Sequence, residues 1–243
     1  IGNGSNLIIR DGGLRGIVIS LQNFNKKQID DKLLVIQSGV SIIDASNFAL
    51  NNSLTGFEFA CGIPGSIGGG IYMNAGAYGG EFKDILINCK VIDSRGRIVT
   101  KTKSDLAFNY RYSKIQDTND IIIEGTFALE KGNHNDIKAK MDYLTDLRKN
   151  NQPLEYPSCG SVFKRPEGYY AGKLIADSKL QGLRIGGAEV SKKHAGFIVN
   201  IDNATANEYI KLIDAIQDKV RRDFNVNLER EVKIIGEDLA PDN

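Results

Sequence analysis

Residues 62–77 read Gly62-Ile63-Pro64-Gly65-Ser66-Ile67-Gly68-Gly69-Gly70-Ile71-Tyr72-Met73-Asn74-Ala75-Gly76-Ala77. The run is glycine-rich and uncharged, yet Ile63, Ile67, Ile71 and Tyr72 give it apolar anchors, so it is neither a linker nor low-complexity sequence. A backbone without Cβ can approach a ligand closely and can take positive φ. Successive amides in such a run can converge on an anion or on the polar edge of a planar ring. Glycine clusters also mark turns, bulges and strand crossings in ordinary β-rich proteins. A second run of this kind opens the chain, Gly2-Asn3-Gly4-Ser5-Asn6. Two such loops point to a large phosphorylated cofactor gripped mainly by backbone. Neither is a Walker A loop, which needs Gly-Lys-Ser or Gly-Lys-Thr, and after Gly2 and Gly4 the third dinucleotide-fingerprint position is Leu7.

Around these loops the pattern alternates between strand and helix. Residues 7–10 and 16–21 read as two strands joined at Gly12-Gly13, and Leu33-Leu34-Val35-Ile36-Gln37 as a third. Residues 41–51 read as a helix with Ile42, Ala45, Phe48 and Ala49 on one face. Strands are expected at 85–93, 97–102 and 121–130, and an amphipathic helix at 135–150. Gln152-Pro153-Leu154-Glu155-Tyr156-Pro157 ends that helix and reads as a domain junction. Beyond it come a helix at 171–180, a strand at 197–201, a helix at 205–223 opened by a capping pair Thr205 and Glu208, and a final strand at 230–236. Early strands and later helices give an α+β fold with two lobes.

Composition narrows the function classes. The 243 residues suffice for one large domain or two small ones. With 41% hydrophobic and 25% charged residues the composition is that of an ordinary soluble protein. A net charge of +1 argues against nucleic acid or an anionic membrane as partner. No apolar run approaches a membrane span. The 3 cysteines, Cys61, Cys89 and Cys159, are scattered without a Cys-x-x-Cys, which disfavours a disulfide framework and a zinc site and points to a reducing compartment. Only His134 and His194 are available as imidazoles, so no histidine-rich metal centre is expected. The chain opens at Ile1 inside a motif, so upstream sequence is expected.

Four local features offer chemistry. Cys159-Gly160-Ser161-Val162-Phe163-Lys164 is a small-residue turn entering a strand; it is not a nucleophile elbow, and a turn serine is its ordinary reading. In Asn109-Tyr110-Arg111-Tyr112-Ser113, an arginine between tyrosines is either a surface strand or a fork for a planar carboxylate. Glu229 and Glu231 share a face at period two, as a solvated edge or as an acid. His194, in Gly186 to Phe197, is read as a capping or core histidine. The residues alone therefore give a soluble α+β protein with two cofactor-type loops, and an arginine, a serine and a glutamate available for acid–base work.

Taken together, Gly2–Leu7, Gly62–Gly69, Met73–Gly79, Tyr110-Arg111, Cys159–Lys164, Gly186-Gly187-Ala188 and Leu228–Val232 resemble the UDP-N-acetylenolpyruvoylglucosamine reductase family, in order over nearly the whole chain. Each piece is weak alone, and their conjunction is specific. The resemblance implies an FAD-binding fold of the vanillyl-alcohol-oxidase type plus an α/β substrate-binding domain, with the N-terminal part of the FAD lobe missing from this chain. It implies a remnant of the first FAD lobe at 1–20, a second lobe at 21–152 and 228–243, and a substrate domain at 153–227. It implies noncovalent FAD held by Gly2, Asn3, Gly4, Ser5, Asn6, Gly62, Gly65, Ser66, Ile67, Gly68, Gly69, Asn74, Gly76 and Ala77. Glu189 stands where many relatives carry glutamine, and the stretch after Arg111 is too short for one subclass's tyrosine-bearing loop, so the subclass without that loop is implied.

The activity so implied is reduction of UDP-N-acetylglucosamine enolpyruvate to UDP-N-acetylmuramate, with NADPH as reductant. Arg111 and Glu231 would stabilise charge building on the substrate carboxylate, and Ser161 would donate a proton to the adjacent carbon. Lys164 and Gln152 would serve the pyrophosphate side. The implied setting is a cytoplasmic monomer in peptidoglycan synthesis, with no nucleic-acid or membrane partner and no metal. Two other classes compete: a sugar or alcohol oxidase of the same fold, which often links its flavin covalently, and a non-catalytic nucleotide-binding module.

Overall fold

The computed structural model describes residues 1–239, and contacts divide the chain into two units. The first comprises Ile1–Gly4 and Ile19–Arg148; the second comprises Ser5–Val18 and the chain from Lys149 onward. The first glycine loop is therefore shared between the units. Residues 228–239, expected with the cofactor lobe, group with the second unit.

The first unit is built on a five-stranded antiparallel sheet ordered Lys27–Asp30, Leu33–Gln37, Ile121–Ala128, Leu86–Ile92, Ile98–Thr102. Leu34, Ile36, Val91 and Phe127 alternate inward as a half-buried sheet requires. Helices α1 (Ile42–Asn51), α2 (Ile67–Met73) and α3 (Phe82–Ile85) supply the rest of this core. Phe57, Phe82 and Phe127 pack with ring centroids 5.3 to 5.8 Å apart. Helix α4 (His134–Asn151) lays Ile137, Met141 and Leu144 on a smaller apolar cluster beside Cys61. Its last three residues, 149–151, belong to the second unit.

The second unit holds a four-stranded antiparallel sheet ordered Ser158–Ser161, Phe197–Asn200, Ala188–Val190, Arg184–Ile185. Helices α5 (Ala171–Asp177) and α6 (Ala206–Phe224) belong to its core, α6 through Leu212, Ile213, Ile216 and Val220. The Thr205–Glu208 capping box forms as the sequence indicates. Leu7–Ile9 pairs in parallel with Lys233–Ile235, joining residues more than 200 positions apart.

Two expectations change. The glycine run at 67–73 is a helix rather than an open loop. Three glycines disfavour it, but Ile67 and Ile71 are buried, and a Cβ on Gly70 would overlap the Phe82 ring, so close packing outweighs propensity. Residues 16–21, expected as a strand, are irregular, and Ile17 is 92% exposed; β-branched sequence favours extended backbone but a strand needs a neighbour to pair with. The polar edge strand Lys27–Asp30 and the short strands at 184–190 carry too little periodicity to be seen in advance.

Candidate functional site

In the first unit Gly2, Gly65, Ser66, Ile67, Gly68 and Gly69 lie at the start of α2, while Asn74, Gly76 and Ala77 follow its C-terminus. Ser66 caps the helix, its Oγ accepting from the Gly69 amide at 3.3 Å. Gly2 lies against Ser66 so closely that a Cβ there would overlap the serine hydroxyl. The Ile67 amide donates to Val40 and the Gly68 amide to Ser38, both at 2.9 Å. These donors, expected to face a ligand, are thus committed to the protein. The Gly65 and Ser66 amides have no acceptor among the described residues, and Gly65 needs its φ of +135° to present them.

The glycines divide by what surrounds them. A Cβ on Gly62 would meet Arg148 Cδ at 2.8 Å, on Gly68 Ser38 Cβ at 2.9 Å, and on Gly76 the Gly80 carbonyl at 2.6 Å. Internal packing demands glycine at those three. Gly4 and Gly69 are exposed: around Gly4 no atom lies within 4 Å of a Cβ, and at Gly69 only the Ser66 hydroxyl approaches, at 3.5 Å. The exposed face of Gly69, next to the unspent amides of Gly65 and Ser66, leaves open backbone that suits an anionic, planar cofactor.

Charge nearby comes from Arg148 of α4, whose side chain lies under Gly62. Burial holds its guanidinium below the usual arginine value, against the opposing influence of Tyr78 and Cys61. Glu58 is 3% exposed; its carboxylate accepts from Thr55 Oγ1 at 2.5 Å and from the Gly56 amide at 2.9 Å, and lies 3.5 Å from Lys140 Nζ on α4. Burial pushes this carboxyl up, but those hydrogen bonds, its own backbone and Lys140 together hold it below the usual value. Cys61 Sγ donates to the Met141 carbonyl at 3.5 Å. Helix α4 thus grips the segment leading into Gly62.

Gly76-Ala77 pairs with Gly80-Glu81 across a two-residue turn in which Tyr78 and Gly79 both have positive φ, the hairpin geometry matched to strand twist. Asn74 is fully buried at the C-terminus of α2. Arg111 is half-buried at φ +53°, its Nη2 donating to the Gly76 carbonyl at 2.9 Å and its Cζ lying 4.9 Å from the Tyr110 ring centre.

In the second unit Ser161 and Glu231 are brought onto neighbouring chain segments. Ser161 ends a strand after Gly160 and pairs with Phe197, and the Glu231 amide donates to the adjacent Val162 carbonyl at 2.8 Å. Asn6 supports the same place, its Nδ2 donating to the Glu231 carbonyl at 3.2 Å, while half-buried Ser5 precedes it. Lys164 is ion-paired to exposed Glu229 at 2.5 Å. Glu229 therefore does not share the setting of half-buried Glu231. Gln152 is half-buried just past α4, its carbonyl accepting from Leu154 at 2.9 Å.

Two other groups fall to structural roles. His194 packs edge-on to Phe197 at 4.8 Å, its Nδ1 accepts from the Gly196 amide, and burial lowers its pKa. Cys89 lies in the first core, where burial pushes its thiol up to about 12, so it is inert. Among the described residues no three His, Cys, Asp or Glu cluster as a metal site, and no helix is long and apolar enough to cross a membrane. Sequence reasoning missed Glu58, Arg148 and Gln116. A lone carboxylate inside Phe57-Glu58-Phe59-Ala60 was the available signal for the first; the other two carry none.

Comparison with known proteins gives the family. Residues 1–102 match an FAD binding domain, and residues 152–235 match the C-terminal domain of UDP-N-acetylenolpyruvoylglucosamine reductase. The chain is 56% identical over 239 residues to the UDP-N-acetylenolpyruvoylglucosamine reductase of Enterococcus faecalis, covering 98% of this chain and 80% of that protein. It is 61% identical over 238 residues to that of Oceanobacillus iheyensis, covering 98% and 78%. A crystal structure of the Thermus caldophilus reductase is similar with a TM-score of 0.85 and 30% identity, over 96% of this chain and 84% of that one.

Proposed function

Because the chain belongs to the UDP-N-acetylenolpyruvoylglucosamine reductase family, we propose that it reduces UDP-N-acetylglucosamine enolpyruvate to UDP-N-acetylmuramate for peptidoglycan synthesis, with FAD as cofactor and NADPH as reductant. The observation that carries this reading is the identity of 56–61% to named reductases along 98% of the chain. Bound FAD would supply hydride transfer from NADPH to the substrate's vinyl carbon. The exposed backbone at Gly4 and Gly69, the amides of Gly65 and Ser66, and the segments around Gly2, Asn3, Gly62 and Ala77 would hold it.

The remaining roles belong to side chains. Reduction of the vinyl group places negative charge on the substrate carboxylate. The Arg111 guanidinium is a fixed fork suited to that charge. Glu231 is the acid in this reading. Ser161 donates the proton to the carbon next to the carboxylate; a hydroxyl can do so only toward a strongly basic carbon, which this intermediate provides. Lys164 leaves Glu229 for the substrate's pyrophosphate, with Gln152 as a second contact. We assign the cofactor lobe to the first unit, the substrate domain to 153–227, and the setting to a cytoplasmic monomer.

Two measurements test this. The purified protein should show flavin absorbance that is released on denaturation. In stopped flow, Ser161→Ala should leave reduction of the flavin by NADPH nearly intact and slow its reoxidation by the enolpyruvyl substrate by roughly 10²-fold, the scale of a lost general acid. Equal slowing of both steps returns Ser161 to a turn residue.

A further inference from the structure

Arg111 sits in a conformation that its sequence does not favour. It is the second central residue of a tight turn in which Asn109 and Tyr112 exchange both backbone hydrogen bonds at 3.1 Å. A long side chain at φ +53° is strained and persists only where its surroundings over-determine it. Those surroundings are specific. The Asn109 carbonyl accepts from Asn74 Nδ2 at 2.9 Å. The Arg111 carbonyl accepts from Gln116 Nε2 at 3.1 Å. Gln116 is itself fixed by donating to the Tyr72 carbonyl at 2.9 Å, where Ser113 Oγ also donates at 2.8 Å.

Both side-chain donors of Asn74 are spent within the protein. Its second Nδ2 hydrogen goes to Glu81 Oε2 at 3.0 Å, and its Oδ1 accepts from the Lys83 amide at 2.9 Å. At 0% exposure its side chain faces protein only. It was expected among the cofactor contacts, yet its amide joins the end of α2, the Gly76–Glu81 hairpin and the Arg111 turn.

We propose that Asn74 and Gln116 are positioning residues that clamp the Asn109–Tyr112 turn and so aim the Arg111 guanidinium, tying it to the same glycine-rich segment that is to hold the cofactor. The inference rests on the reading of Arg111 as the group that stabilises substrate charge. Small displacements of such a group cost rate steeply, because the charge it must meet appears at one place.

The experiment uses the full chain with FAD bound. Gln116→Met keeps side-chain bulk and removes both donors; Asn74→Asp keeps the left-handed backbone and the acceptor but replaces the donors with oxygen. Flavin reoxidation by the enolpyruvyl substrate should slow roughly 10- to 100-fold in each. Reduction by NADPH should stay within about twofold in Gln116→Met, since the clamp acts only through Arg111. Adding Gln116→Met to Arg111→Ala should slow that variant no further, which a general loss of stability would not reproduce. Calorimetric affinity of the oxidised protein for the enolpyruvyl substrate should fall in Gln116→Met as in Arg111→Ala, whereas affinity for UDP-N-acetylglucosamine, which lacks the carboxylate, should not. If Asn74→Asp fails to fold, Gln116→Met alone decides. Wild-type reoxidation in Gln116→Met, with Arg111→Ala slow, overturns the clamp alone. Wild-type reoxidation in Arg111→Ala overturns the functional reading and the clamp with it.

Discussion

Gly62 and Gly69 look alike in the sequence and answer to different neighbours. Gly62 is glycine because Arg148 lies 2.8 Å from where its Cβ would be; Gly69 has an open face and sits inside a helix. A side chain at Gly69 should therefore be accepted by the protein and refused by the cofactor. Gly69→Ala should raise the melting temperature of the flavin-free protein, since alanine improves a helix interior by about 0.5–1 kcal/mol, and Gly69→Leu should lower flavin retained on purification. Unchanged flavin stoichiometry in Gly69→Leu would move the cofactor away from this helix. The sequence showed that glycines here matter. It could not show which were needed for a ligand, because a glycine records the absence of a side chain and not the identity of what fills the space. Ser161, Glu231 and Arg111 were legible only through family pattern, whereas Gln116 has the look of any surface glutamine.

At the scale of elements, α4 and the turn at Glu58–Ala60 form one clamp. Glu58 is held below the usual carboxylate range, so the folded state binds its proton more weakly than the unfolded chain. Its contribution is complete above the ordinary carboxylate range and is lost as pH falls through the depressed folded value. Glu58→Gln should therefore destabilise at neutral pH by about 1–3 kcal/mol, the cost of weakening bonds to a buried acceptor. It should also flatten the acid side of the stability profile, read as urea midpoints at neutral pH and near pH 4. A variant with the wild-type acid slope would show that Glu58 is not the titrating group. Long periodic elements such as α1, α4 and α6 were readable from residue spacing. Helix α2 was not, because its cause lies in Phe82 and Ser38, distant residues whose contact with it no local window contains.

For the molecule as a whole, the parallel pair Leu7–Ile9 and Lys233–Ile235 lies in a unit made of Ser5–Val18 and the chain from Lys149 onward, with Ile19–Arg148 inserted between the two segments. No local periodicity announces such a pairing, and loop closure over that separation carries an entropic cost that only the finished core offsets. The consequence concerns synthesis. On the ribosome, residues 19–148 emerge before Lys233–Ile235, so Ile8 and its neighbours wait, unpaired, until that strand leaves the exit tunnel. The nascent chain would carry an open strand edge throughout synthesis of residues 10–232, the state that holdase chaperones recognise. Pulse-labelled hydrogen exchange during refolding should show protection at 33–37 and 121–128 before 7–9, and earlier or simultaneous protection at 7–9 would mean that the distant strand pair does not wait for the first unit's sheet.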